Sequence, residues 1–171
     1  MHLKAFLLSA LDSATSGGRR YHVWMGTLTL IMLAGGYAYT VQLREGLAVT
    51  GMTDHVSWGL YISNFTFLVG LAAAAVMLVL PAYVLKDVDF GQAVLIAEGV
   101  AVAAIVMCLA FVVVDLGNPL ASWHLIPKLG LLNWPRSLLA WDGIVLNGYL
   151  VLNIAIPFYI LYSHFAGRKP E

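Results

Sequence analysis

His55, Trp58, Tyr61, Asn64, Asp115, His124 and Asp142 are the side chains in this sequence best suited to chemistry, and they fall near the ends of long apolar runs or between them. Aromatic faces at Trp58 and Tyr61 can stack on a flat ring. His55, Trp58 and Tyr61 can hydrogen-bond to ring oxygens, and Asp115 with His55 or His124 can take up or release a proton. Those are the requirements of a quinone. Asn64 and Asp142 add an amide and a second carboxylate, and Glu98 is a further acid inside an apolar run. A Ser/His/Asp order, a phosphate loop and a metal-ligand spacing are all missing. The single Cys108, without a C-x-x-C, offers no cluster or c-type haem attachment, so the reading assigns the chain no metal.

The elements that must position these groups follow from composition. The chain has 171 residues, of which 61% are hydrophobic and 11% charged. Soluble domains carry about 25% charge, so this is the composition of a protein whose solvent is the lipid bilayer. Net charge is zero, which gives no footprint for nucleic acid. Four apolar runs, at about 22–43, 56–85, 92–116 and 137–164, are each near or above the roughly 20 residues of a spanning helix. Four strands could not close a barrel, so backbone satisfaction in lipid requires helices. The fold class is therefore all-α integral membrane, a four-helix transmembrane bundle over 21–166 with an outer loop at 117–136. A b-type haem would need histidines paired inside the bilayer, and His22, His55, His124 and His164 all lie at run ends or in loops, which disfavours haem.

An interfacial N-terminal segment, 1–20, precedes the bundle, with Leu3, Phe6, Leu7, Ala10 and Leu11 on one helical face and a Gly17-Gly18 break before Arg19-Arg20. A signal peptide is the rival reading, against which Asp12 interrupts the apolar stretch. With the N-terminus inside, the cytoplasmic parts hold Lys4, Arg19, Arg20, Lys86, Arg168 and Lys169, against Arg44, Lys128 and Arg136 outside. That asymmetry predicts a multi-pass protein of the cytoplasmic membrane with both termini inside, the cytoplasmic tail being 167–171.

Helical spacing from Asp54 onward places Asp54, Ser57, Trp58, Tyr61, Asn64 and Phe65 on one face, and Gly59, Ser63, Thr66, Gly70 and Ala74 on another that suits close packing. In the third helix Glu98, Ala101, Ile105, Cys108, Val112 and Asp115 share a seam, with Glu98 toward the cytoplasm and Asp115 at the outer mouth. Glu98 suits either a hydrogen bond to a neighbouring helix or proton transfer. Ser137 is set to cap the fourth helix, whose seam is Asp142, Leu146, Tyr149, Asn153 and Ile156. The outer ends thus gather His55, Trp58, Tyr61, Asp115, His124 and Asp142, with Asp54. His124, alone in its loop, also reads as a structural residue. Prolines 119, 127 and 135 forbid one helix through the outer loop, and its tryptophans and leucines need an interface, a fold over the bundle or a partner protein.

The stretches Gly51-Met-Thr-Asp-His-Val-Ser-Trp-Gly-Leu-Tyr-Ile-Ser-Asn-Phe, Phe111-Val-Val-Val-Asp-Leu-Gly-Asn-Pro, Trp123-His-Leu-Ile-Pro and Asn133-Trp-Pro-Arg-Ser-Leu-Leu-Ala-Trp-Asp resemble the NrfD/PsrC family of polysulfide reductase membrane subunits. Within that family the likeness is to DsrP, of the transmembrane complex associated with sulfite reduction. The resemblance implies a haem-free subunit that exchanges electrons between menaquinone or ubiquinone and an iron–sulfur partner in sulfur-compound metabolism. It implies that a ferredoxin-like iron–sulfur subunit docks on outer loop 117–136, and that a multihaem cytochrome c and a b-haem membrane subunit share the complex. Family members carry roughly twice as many membrane helices, so the chain would be the N-terminal half of an NrfD-like fold, either non-catalytic alone or a quinone-oxidoreductase subunit. The expected site is catalytic Asp115, His55, Glu98 and Asp142, with His55, Trp58, Tyr61, Asn64, Asp115 and His124 around the quinone. A proton-conducting or transport half-bundle, and a membrane anchor without its own chemistry, are the alternatives.

Overall fold

A computed structural model describes residues 2–53, 55–56, 58–84, 90–126, 129–131, 133 and 135–167. Asp54, Ser57, the inner turn expected at Lys86, Asp87 and Asp89, Lys128, Trp134 and the tail 168–171 lie outside the described residues. The described chain is helical: α1 (His2–Thr15), α2 (Arg19–Glu45), a 3-10 helix at Leu47–Thr50, α3 (Leu60–Val84), α4 (Phe90–Asp115), a second 3-10 helix at Pro119–Leu125, and α5 (Leu138–Phe165).

Local chemistry sets the helix ends. Gly46 adopts φ 82°, ψ −178°, a region essentially reserved for glycine, and its N–H closes the last turn of α2 on the Gln42 carbonyl at 2.8 Å. After α4, Gly117 turns the chain at φ 67°. The Asn118 side chain then accepts the Leu120 N–H at 3.1 Å, and Pro119 begins the short helix where no donor is needed. Ser137 caps α5 as expected, accepting from the Ala140 N–H at 3.3 Å. Pro157 lies within α5 without ending it.

The expected helix from Val56 starts instead at Leu60. Thr53 and Val56 exchange two backbone hydrogen bonds, at 3.1 and 3.0 Å, which hold that stretch in a tight bridge rather than a helical turn. Trp58 therefore precedes α3, and the shared helical face predicted for Trp58, Tyr61 and Asn64 does not form.

α3 and α4 pack along their length, and α5 packs on α4. The seam read on α4 is the buried one: Glu98, Ala101, Ile105 and Cys108 are fully enclosed, while Val112 and Asp115 are partly so. On α3 the packing face differs from the prediction. Ala72 and Ala75 are buried against α4, with Phe65, Leu68 and Val69 at the edge, whereas Ser63, Thr66, Gly70 and Ala74 are exposed. Ser63 and Thr66 can face outward because their hydroxyls donate to the carbonyls of Gly59 and Ile62, at 3.2 and 2.9 Å, so no polar hydrogen is left open. Alanine at the contact lets two backbones approach closely, which is how helices associate in lipid.

α2 stands apart, exposed almost throughout and buried only at Gln42. α1 lies against the C-terminal end of α5, where Phe6 meets Phe158, Tyr162 and Phe165 edge-on at 5.5, 5.6 and 5.5 Å. Among the described residues, Val94–Asp115 and Ala140–Phe165 are long and apolar enough to cross a membrane, with mean hydropathy 2.6 and 1.9, and Leu60–Ala75 is a shorter apolar helix.

Candidate functional site

The C-terminal half of α4 separates two cavities. At 100° per residue, Met107, Ala110, Phe111 and Val114 lie on one side of α4, and Leu109, Val112 and Val113 lie on the other. The first set lines a cavity of about 560 Å³ shared with α2 and the start of α3, and the second lines one of about 470 Å³ shared with α5 and the second 3-10 helix. Both volumes suit a small-molecule ligand.

The first cavity carries the more ordered polar group. Gln42 is only 3% exposed, and its Nε2 donates to the Val114 carbonyl at 2.9 Å. That carbonyl sits in the last turn of α4, where the only backbone N–H that reaches it among the described residues is that of Gly117, at 3.4 Å. Tyr61 Oη donates to Gln42 Oε1 at 2.6 Å, and the Tyr61 ring lies 6.1 Å from Phe111, tilted by 37°. Tyr39, one turn before Gln42, also lines the cavity, and its buried hydroxyl has no hydrogen-bond partner among the described residues. Apart from Thr50, the remaining walls, including Leu60, Met107 and Ala110, are apolar. A flat ring with polar oxygens at its ends fits this lining: apolar and aromatic sides, with hydroxyls and an amide among the polar groups.

Of the expected site residues, Tyr61 alone lines the first cavity and Asp142 alone the second, which also holds Ser122 and Asn147. The two are on opposite faces of α4. His55 and Trp58 are exposed, Trp58 at 78%. Asn64 turns its amide back onto the Leu60 carbonyl at 2.8 Å. Asp115, at the end of α4, has a covered Oδ1 without a partner among the described residues. His124 lies on Trp123, ring centroids 3.8 Å apart, with Nδ1 likewise covered and unpartnered. Glu98 is 3% exposed, and its Oε2 has no partner among the described residues. No group of three or more His, Cys, Asp or Glu that could hold a metal ion occurs among the described residues.

The site residues expected from the sequence include neither Gln42 nor Tyr39, both within the first apolar run at 22–43. The signal was there: Gly35, Ala38, Tyr39 and Gln42 recur at helical spacing, so an amide and a phenol share one face of an otherwise apolar helix.

Residues 48–170 match the family model for polysulphide reductase, NrfD. The chain belongs to the NrfD family. This NrfD chain is 27% identical over 146 residues to a selenate reductase subunit of Mesobacillus selenatarsenatis, covering 85% of the chain and 33% of that relative. It is 28% identical to a putative dimethyl sulfoxide reductase membrane subunit of Halobacterium salinarum, over 77% of the chain and 29% of the relative. It is also 28% identical to the integral membrane subunit of menaquinone reductase from Nitratidesulfovibrio vulgaris, over 61% of the chain and 25% of the relative. The NrfD chain thus spans a third or less of the length of these relatives. No solved structure matches it at a significant level. Family and apolar helices together make it an integral membrane protein.

Proposed function

We propose that this NrfD chain belongs to the membrane subunit of a respiratory redox complex and binds menaquinone or ubiquinone in the cavity between α2, α3 and α4. The observation that carries the reading is the hydrogen-bonded Tyr61–Gln42 pair at the polar end of an apolar, aromatic-walled cavity. The names of the relatives, a menaquinone reductase subunit and reductase membrane subunits among them, support the ligand class. A bound quinone supplies a two-electron, two-proton couple. The chain's own residues hold the ring with Tyr61 and Tyr39 and exclude water with Leu60, Met107 and Phe111. Asp115 and His124, each with a covered polar atom that has no partner among the described residues, are the proposed proton carriers, with the exposed His55 and Asp142 as further candidates.

In the same reading, α2 and α3 complete four spanning helices in the cytoplasmic membrane with cytoplasmic termini. The outer end is the docking face for a ferredoxin-like iron–sulfur subunit, supported by exposed apolar groups such as Leu120, which is 84% exposed, Leu129 and Leu131. A multihaem cytochrome c, a b-haem membrane subunit and a role in sulfur-compound metabolism of the DsrP type rest on the sequence resemblance. A second reading, a proton path through the bundle, is favoured by one observation: Glu98 is buried at mid-bundle with an unpartnered oxygen.

The test is binding of a short-chain menaquinone to the chain in lipid nanodiscs. Ala110→Trp, which fills the cavity from an exposed position of α4, is expected to abolish binding while the helix content stays unchanged. Undiminished binding to that variant would remove the cavity from the reading.

A further inference from the structure

We infer that Tyr61 meets its ligand as a hydrogen-bond acceptor, so that the cavity holds the dihydroxy form of a quinone more tightly than the dioxo form. The inference rests on the quinone reading of the cavity and deepens it. The argument starts at the Val114 carbonyl, which can only accept. Gln42 must therefore turn its NH₂ toward Val114, and the 2.9 Å contact leaves no alternative amide orientation. Oε1 then faces Tyr61, and an amide oxygen can also only accept. The single proton of Tyr61 is thereby committed to Gln42 at 2.6 Å. What Tyr61 retains is a lone pair.

Thr50, which also lines the cavity, repeats the logic: its hydroxyl donates to the Leu47 carbonyl at 2.6 Å, so it too is left with acceptor capacity. Of the three hydroxyls on the wall, Tyr39 alone is uncommitted and can serve either redox form. The oxygens of an oxidised quinone are acceptors and gain nothing from Tyr61 or Thr50, whereas a quinol hydroxyl donates to either. Polarity at the wall is fixed by a backbone carbonyl, not by a flexible side chain. The cavity therefore discriminates by hydrogen-bond sense rather than by shape.

The experiment measures, under anaerobic conditions, the affinity of the full chain in nanodiscs for a short-chain menaquinone and for its chemically reduced quinol. One hydrogen bond gained predicts quinol binding roughly tenfold tighter. The bound two-electron couple is then raised by about 30 mV relative to the free one. Tyr61→Phe is expected to weaken the quinol about tenfold and leave the quinone unchanged, so that the ratio falls toward one. Gln42→Leu releases the Tyr61 proton and should strengthen the quinone form. If that variant loses α2 from the bundle, Tyr61→Phe alone decides. Equal or weaker quinol binding by the unaltered chain, or equal losses for both forms in Tyr61→Phe, would overturn the inference. Abolition of both forms by Ala110→Trp alongside such a result keeps the cavity and sinks only the acceptor assignment. Binding indifferent to Ala110→Trp removes the cavity itself.

Discussion

Gln42 and Val114 tie the end of α2 to the end of α4 through one hydrogen bond of 2.9 Å, and the rest of α2 is exposed almost throughout. A 27-residue helix is thus registered against the bundle chiefly at its C-terminal end.

Gln42→Leu should therefore cost more than an average substitution. It leaves the Tyr61 hydroxyl without its acceptor and the Val114 carbonyl with only the 3.4 Å bond from the Gly117 N–H; a polar group left unpaired costs about 1–3 kcal/mol when desolvated, although in a membrane protein the average interhelical hydrogen bond is nearer 0.6 kcal/mol. Unfolding of the variant in increasing SDS is expected to show a loss of about 1–2 kcal/mol, on the order of those bounds. Protease sites introduced in α2 should become accessible before those in α4. A loss confined to a few tenths of a kcal/mol, with α2 still protected, would mean that lipid rather than Gln42 holds the helix.

Ala101 is fully buried at the α3–α4 contact, and Gly70 on α3 is exposed. Ala101→Leu should force the helices apart and cost about 1–3 kcal/mol by overpacking. Gly70→Leu should fall within about ±0.5 kcal/mol or stabilise α3 slightly, since the glycine carries a helix-propensity penalty. The same SDS titration separates the two, and a reversed order would restore the packing face read from sequence.

That face shows what periodicity could and could not deliver. The α4 seam was legible because Glu98, Ala101, Ile105 and Cys108 fall every three or four residues and one stripe alone carries the polar group. On α3 two stripes of small residues compete, Ser63–Thr66–Gly70–Ala74 and Ala72–Ala75, and period alone cannot rank them. The local i−4 bonds of Ser63 and Thr66 tip the balance outward. Tyr61, singled out by type and position, does line a cavity. Its partner was not, because Gln42 acts across 19 residues of sequence and meets a carbonyl 72 residues away. The helical face expected to carry Trp58 with Tyr61 does not form for a local reason, the Thr53–Val56 bridge that delays the helix.

Phe6 on α1 makes edge-on contacts with Phe158, Tyr162 and Phe165 of α5, while Leu3, Leu7, Leu8 and Leu11 stay exposed. Such pairs are worth about 0.5–1.5 kcal/mol each. Phe6→Ala should therefore free α1 from α5 without unfolding the bundle. Hydrogen exchange is the measurement: protection should fall across α1 and stay unchanged in α4. Equal protection in the variant would show that the leucine face in the lipid interface suffices.

Tyr149 separates packing from hydrogen bonding at the α5 contact. Its Oη donates to the Ala72 carbonyl at 3.1 Å, its own carbonyl accepts from Asn153 Nδ2 at 2.9 Å, and its ring packs on the core of Ala72, Ala104, Ile105, Cys108 and Leu146. Tyr149→Phe removes only the bond to Ala72, which an α-helical carbonyl can spare, so the expected loss is about 0.6 kcal/mol. Tyr149→Ala removes the ring and opens a cavity, for about 3–5 kcal/mol. Cys108, enclosed in that core, supplies an independent readout. Its alkylation by a maleimide should stay slow in Tyr149→Phe and become fast in Tyr149→Ala, because the thiol is reached only when the ring no longer covers the core. Fast labelling in Tyr149→Phe would instead assign the hold on α5 to the hydroxyl.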